Sequence, residues 1–191
     1  MVTRVETAAA TRRALLAVAG VLLDAGGPDA VTLREVGARA GVSRSAPYRH
    51  FPDKASLLTA LATQAWSEVG DALQELAARP DLSPDLLLRE ALGALVATGR
   101  ARPHLYRLMF TTPSTDPAAA VRAAERAQDL FLHAVTAVVG PQQAHHYAGL
   151  LLTTAHGVTG LEQSGHLAPD KWHATGDDLL ELLVSRLPPA A

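Results

Sequence analysis

Residues 32–51, TLREVGARAGVSRSAPYRHF, place a single glycine between two short stretches that each carry a helix-start signal. Thr32-Leu33-Arg34-Glu35 fits a capping box, in which the threonine hydroxyl accepts from the Glu35 amide and the glutamate reaches back to the Thr32 amide. Leu33, Val36 and Ala40 then fall on one face of a short helix. Gly41 ends it, because glycine takes the left-handed conformation that closes a helix without a Cβ penalty. Val42 packs beneath the turn, and Ser43 is expected to cap a second helix running from Arg44 to about His50. Helix, tight turn and helix within 20 residues leave few folds open.

The rest of the chain extends the helical pattern. Of the 191 residues, 48% are hydrophobic but only 4% aromatic, so the core must be built from Leu, Val and Ala. Leu and Ala are strong helix formers, and apolar residues recur at helical spacing over 5–25, 54–78, 85–101, 103–111, 118–139, 142–163 and 170–187. Gly26-Gly27-Pro28-Asp29, Arg79-Pro80-Asp81, Thr112–Pro117 and Gly140-Pro141 punctuate these segments. The expected fold is all-α with about nine helices. It divides into a helix-turn-helix head at 1–53 and a helical body for ligand binding and dimerisation at 54–191.

A helix-turn-helix lays its second helix in the major groove of double-stranded DNA. Arg44, Ser45 and Ala46 open that helix and are the candidates for base contacts. Arginine can bond bidentately to guanine, serine to either partner, and the alanine methyl can meet a thymine methyl. Thr32 and Ser43 place hydroxyls and amides at helix starts, where anions are favoured. Tyr48, Arg49, His50 and Lys54 flank the patch as further DNA contacts, and phosphate contacts of this kind set register rather than sequence. Residues 1–54 carry eight Lys/Arg against five Asp/Glu, and the remainder nine against fourteen, so a basic head sits on an acidic body. Pro47 is the anomaly. It has no amide to give the Ser43 carbonyl and disfavours the α conformation at Ala46, so a displaced or 3₁₀-like first turn is expected.

The run TLREVGARAGVSRSAPYRHFPDKASLL resembles the DNA-binding head of the TetR family of bacterial regulators. The shared features are Ala38, Arg39, Ala40, Gly41, Val42 and Ser43, then Tyr48-Arg49-His50-Phe51, then Lys54. The family often has alanine where Gly37 stands. Further on, Pro103-His104-Leu105-Tyr106-Arg107-Leu108-Met109-Phe110 and Ala155-His156-Gly157 resemble segments of TetR-like proteins with a WHG-type C-terminal domain. Ala155 stands in place of that domain's tryptophan.

The resemblance implies a transcriptional regulator, by family default a repressor. It would bind a palindromic operator as a homodimer and be released by a small, often hydrophobic inducer. Trp66, Leu105, Tyr106, Met109 and Phe110, together with Phe131, Tyr147, Leu151 and His156, are the candidates for the inducer pocket. Thr153, Thr154 and Glu162 could orient a polar group. The competing reading, that each is an ordinary packing residue, carries somewhat more weight. The last two helices would form an intersubunit four-helix bundle. Ala148, Leu152, Ala155 and Thr159 are offered from one helix, and Leu179, Leu180, Leu183 and Leu187 from the other. The alternative is that these stripes pack within their own subunit.

Other classes find less support. There is no nucleophile elbow or glycine-rich phosphate loop, so an enzyme is not expected, and no cofactor is implied. The absence of cysteine excludes thiolate chemistry and Cys-ligated zinc. Eight histidines raise the question of a metal sensor, but none of the candidate pairs has the i, i+4 spacing of a helical metal site, and no metal is expected. No signal-peptide pattern and no 18-residue apolar run are present, so a cytoplasmic protein is expected.

Overall fold

The computed structural model describes residues 4–112, 115 and 117–190. Pro113, Ser114 and Asp116 of the expected Thr112–Pro117 loop lie outside the described residues. Ten helices and no strand are present among the described residues: α1 Arg4–Ala30, α2 Leu33–Arg39, α3 Ala46–His50, α4 Lys54–Ala77, α5 Pro84–Ala101, α6 Pro103–Met109, α7 Pro117–Val139, α8 Ala144–Gln163, α9 Pro169–Trp172 and α10 Gly176–Ser185. None is long and apolar enough to cross a membrane.

Helical bonding in α1 carries past the expected stop, but the break itself is where the sequence puts it. Gly26 and Gly27 are non-helical, and Gly27 has φ 68°, so α1 is a long helix followed by a kinked final turn. The segment expected as one helix over 170–187 is two. His173 adopts the left-handed conformation at φ 51° and ends α9. Thr175 and Asp178 then form a reciprocal capping box that starts α10. That Thr-x-x-Asp signal competes with continuous helix and prevails. Leu187 consequently lies beyond the end of α10.

The chain forms two compact units, Met1–Trp66 with His104–Ala123, and Ser67–Pro103 with Ala124–Ala191. In the first, α1 packs on α2 and α3. Leu15, Ala19 and Leu23 of α1, Val36 of α2 and Phe51 are all buried there. The Arg12 guanidinium lies 4.8 Å from the centre of the Phe51 ring, a cation–π contact at the edge of this core. The Trp66 indole donates to the Met109 carbonyl at 3.0 Å, which ties α6 to α4.

In the second unit, α5, α8 and α10 pack as a three-helix layer. Leu88, Leu92 and Val96 of α5, Leu151, Ala155 and Thr159 of α8, and Leu180 and Val184 of α10 are buried. Arg100 of α5 grips Glu162 of α8 through two bonds of 2.7 Å and reaches Asp177 of α10 at 3.0 Å.

Candidate nucleic-acid interface and regulatory surfaces

Thr32 begins α2 as expected. Its backbone is extended and its hydroxyl accepts from the Glu35 amide at 3.2 Å. The reciprocal half of the box is replaced: the Glu35 carboxylate takes Arg39 Nε at 2.7 Å, one helical turn on. At the other end the Gly41 amide donates to Ala38 O and the Val42 amide to Gly37 O, both at 3.2 Å, with Gly41 at φ 67°. This is a Schellman closure, and it reverses the chain in two residues.

Ser43 does not cap α3. Had the helix begun at Arg44, residue 47 would have to donate to the Ser43 carbonyl, and proline cannot. Instead the Ala46 amide donates to Ser43 O at 2.9 Å. Residues 44 and 45 form a turn, Ser45 takes the N-cap position, and α3 starts at Ala46. The 3₁₀-like displacement expected from Pro47 is present. Its cost falls on Ala46, which is only 3% exposed. Its methyl belongs to the interior of the unit, so the expected thymine contact is withdrawn.

Pro47 has a counterpart in α2. A Cβ built on Gly37 would lie 2.6 Å from Pro47 Cγ. The proline ring occupies the space that an alanine side chain would take, and Gly37 and Pro47 are both buried.

What remains on the surface is a compact polar patch. Ser43, Arg44, Ser45, Tyr48 and Arg49 are exposed and His50 is half-buried. The Ser43 and Ser45 hydroxyls lie 3.4 Å apart, and Arg49 donates to Ser45 Oγ at 3.5 Å. Beside the patch runs a groove of about 720 Å³ whose far wall is Thr7, Ala8 and Thr11 of α1. Sequence reading missed these three. Threonines at i and i+4 near the start of α1 were their only signal.

Lys54 opens α4. Asp53 caps it by accepting from the Ser56 amide and hydroxyl, each at 2.7 Å. These bonds, the backbone one foremost, hold the Asp53 carboxyl below its ordinary pKa. Lys54 Nζ reaches Asp29 only at 3.9 Å.

The family comparisons agree with this geometry. Residues 15–61 match the family described as bacterial regulatory proteins, tetR family, and residues 88–187 match the tetracyclin repressor-like C-terminal domain. The chain belongs to the TetR family. It is thus a transcriptional regulator with a DNA-binding helix-turn-helix. An uncharacterized HTH-type transcriptional regulator of Mycobacterium tuberculosis is 42% identical over 64 residues, which is 34% of this chain and 32% of that protein's length.

Among solved structures, a protein of unknown function from Rhodococcus sp. RHA1 superposes with a TM-score of 0.77 at 29% identity, covering 92% of each chain. A TetR-family regulator from Streptomyces coelicolor gives 0.67 at 23%, over 94% of this chain and 98% of that one. RolR in complex with resorcinol gives 0.63 at 20%, over 98% and 92%. The last two likenesses bear on fold alone.

The aromatic candidates of the TetR-family chain are partly gathered. Phe110 stands 5.3 Å from Trp66 and 4.9 Å from Tyr106 between ring centres. Leu105, Tyr106, Met109 and Trp66 are buried, while Phe110 is at the surface. Phe131, Tyr147, Leu151 and His156 belong to the second unit. There Leu151 is fully buried, Phe131 and Tyr147 are half-buried, and His156 is exposed. The polar candidates are engaged elsewhere. Thr153 and Thr154 donate to carbonyls of their own helix, and Glu162 is held by Arg100. No group of three or more metal-ligating side chains occurs among the described residues.

The expected dimer stripe also changes. Ala155 and Thr159 are 0% exposed and Leu180 5%, so they pack within the α5–α8–α10 layer and leave nothing for a partner. Ala148, Leu152, Leu179, Leu183 and Leu187 are half-buried. The open apolar positions are Leu150 and Leu161 of α8 and Leu182 of α10. Gly149, Gly157 and Gly160 of α8 also face open space.

Proposed function

We propose that this regulator is a repressor that binds a palindromic operator as a homodimer and leaves it when a small, largely hydrophobic ligand binds. It works in the bacterial cytoplasm, where its DNA is. The observation that carries the DNA half is the Schellman turn at Gly41, which presents Arg44, Ser45, Tyr48 and Arg49 together on one exposed edge. Arg44 and Ser45 read bases. Thr32, Ser43, Tyr48, Arg49, His50 and Lys54 hold phosphates. Residues 1–53 act as the DNA-binding head and 54–191 as the regulatory body.

Two heads on one face of the duplex require a two-fold axis. The exposed leucines of α8 and α10 and the open glycines of α8 support a partner there, because glycines let two helices approach closely. RolR, of the same fold, is known with resorcinol, which supports a small aromatic ligand for the Trp66–Tyr106–Phe110 cluster. The ligand acts only if it binds the DNA-incompetent conformation more tightly.

Footprinting on the DNA flanking the protein's own gene tests the reading. Two protected half-sites about 34–36 Å apart, or a multiple of that, are expected. Absence of any protected inverted repeat there or in a genome-wide pull-down would overturn it.

A further inference from the structure

A groove of about 420 Å³ lies in the first unit, lined by Lys54, Ala55, Leu58, Thr59, Ala62, Leu108, Thr111 and Thr112. It contains none of the residues expected to bind an inducer. Its size falls within the range of small-molecule sites.

Lys54, Leu58 and Ala62 succeed one another at intervals of four, so they form one face of α4. At the helical rise the backbone of this face runs about 12 Å from residue 54 to residue 62. Leu108 of α6 contributes apolar surface as well. Two of the lining hydroxyls are already turned elsewhere: Thr111 donates to the Arg107 carbonyl at 2.8 Å, and Thr59 lies 3.4 Å from Thr115 Oγ1. The lining is therefore mostly apolar, with the Thr112 hydroxyl as its remaining neutral polar group and one cation at its end. That cation is weakly engaged, because Asp29 is 3.9 Å away and fully in solvent.

We infer that this groove binds an amphipathic monocarboxylate, its carboxylate on Lys54 and its apolar body along Leu58, Ala62 and Leu108. A single ammonium and apolar walls match one negative charge on a short hydrocarbon. A phosphate would bring a second charge with no partner and nothing to fill the groove.

The position of Lys54 gives the site a consequence. Under the proposed function the same ammonium holds an operator phosphate, and on that reading a bound carboxylate competes with DNA directly. This route to release needs no rearrangement of the body.

Octanoate, used below its micellar range, and the uncharged octanamide are the probes. Calorimetry and amide NMR of the full chain should show octanoate binding, with shifts at Leu58, Ala62 and Leu108. Lys54→Met should weaken it at least tenfold, to the level of octanamide. Thr112→Trp, which narrows the rim, should also weaken it. Octanoate binding that is indifferent to both variants, or shifts confined to α8 and α10, overturns the site.

Fluorescence anisotropy with operator DNA tests the competition. Octanoate should weaken wild-type binding several-fold, while Thr112→Trp keeps its DNA affinity and loses this sensitivity. Equal octanoate sensitivity in both proteins, or octanoate binding without any loss of DNA affinity, overturns the competition. If the wild type binds no DNA at all, the proposed function fails, and the calorimetric arm still decides the groove.

Discussion

Gly99 of α5 lies directly against Thr159 of α8, so closely that a Cβ at position 99 would overlap the threonine methyl. Both residues are buried, and the Thr159 hydroxyl is satisfied by the Ala155 carbonyl at 2.9 Å. The approach of α5 to α8 is therefore set by one absent side chain. Gly99→Ala should destabilise the protein by about 1–3 kcal/mol, the usual range for overpacking. Thr159→Ser removes the obstructing methyl and should recover part of the loss. Urea unfolding of the two single variants and the double variant checks this; additive effects would refute the direct contact.

Arg100 joins three helices. Its guanidinium meets Glu162 bidentately and Asp177 by its remaining edge. The carboxylates, Glu162 foremost, raise its already high pKa, so it stays charged throughout. Glu162 is the least exposed member, at 21% of its side chain. Arg100→Met should cost about 1–2 kcal/mol, above an ordinary surface pair, because it leaves Glu162 without its partner. Arg100→Lys should recover little, since an ammonium cannot reproduce the planar fork. Thermal unfolding of the two variants distinguishes these outcomes.

Two caps make stability depend on acid. Asp53 is held below its ordinary pKa by the Ser56 amide and hydroxyl, and Asp178 by the Thr175 amide and hydroxyl. A carboxylate whose pKa is lowered by folding stabilises fully above its unfolded value and loses that contribution as pH falls through the folded one. The Tm difference between wild type and Asp53→Asn should be constant from pH 7 to about 5 and shrink below about 4, the unfolded value for aspartate. A difference that grows on acidification would show that Asp53 does not cap as the carboxylate.

On DNA, Arg44 and Lys54 should fail differently. Arg44→Ala should weaken operator binding by about 1–3 kcal/mol and relax preference at one position of each half-site. Lys54→Ala should weaken binding to all sequences alike and flatten the salt dependence. Anisotropy titrations on the operator and a scrambled duplex separate the two. Intact specificity in Arg44→Ala would remove it from base readout.

Local signals were the legible part of the sequence. Thr32 and Gly41 each act on amides or carbonyls within four residues, so type and spacing were enough to place them. Ser43 has the same chemistry and failed, because its role depended on Pro47 four positions on. Ala155, Thr159 and Leu180 failed for a different reason. An apolar stripe states that a helix face is covered, but the same residues cover equally well against α5 as against another subunit. The exposed neighbours Leu150, Leu161 and Leu182 are chemically identical to the buried leucines, and only the packing separates them. Thr7, Ala8 and Thr11 became visible once α1 was seen to border the α3 surface.

The fit of Gly37 to Pro47 makes the order of substitution matter. In the present background Gly37→Ala drives a methyl into a ring that is bonded to the backbone and cannot swing away, so the variant should lose stability despite alanine's better helix propensity. After Pro47→Ala the ring is gone, the remaining neighbour Val42 Cγ2 is at an ordinary 3.9 Å, and the same change should become stabilising by up to about 1 kcal/mol. A mutation whose sign depends on its neighbour closes one of the two single-step routes between the glycine–proline pair and an alanine–alanine pair. Descendants of this sequence can regain a regular reading helix only by giving up the proline first.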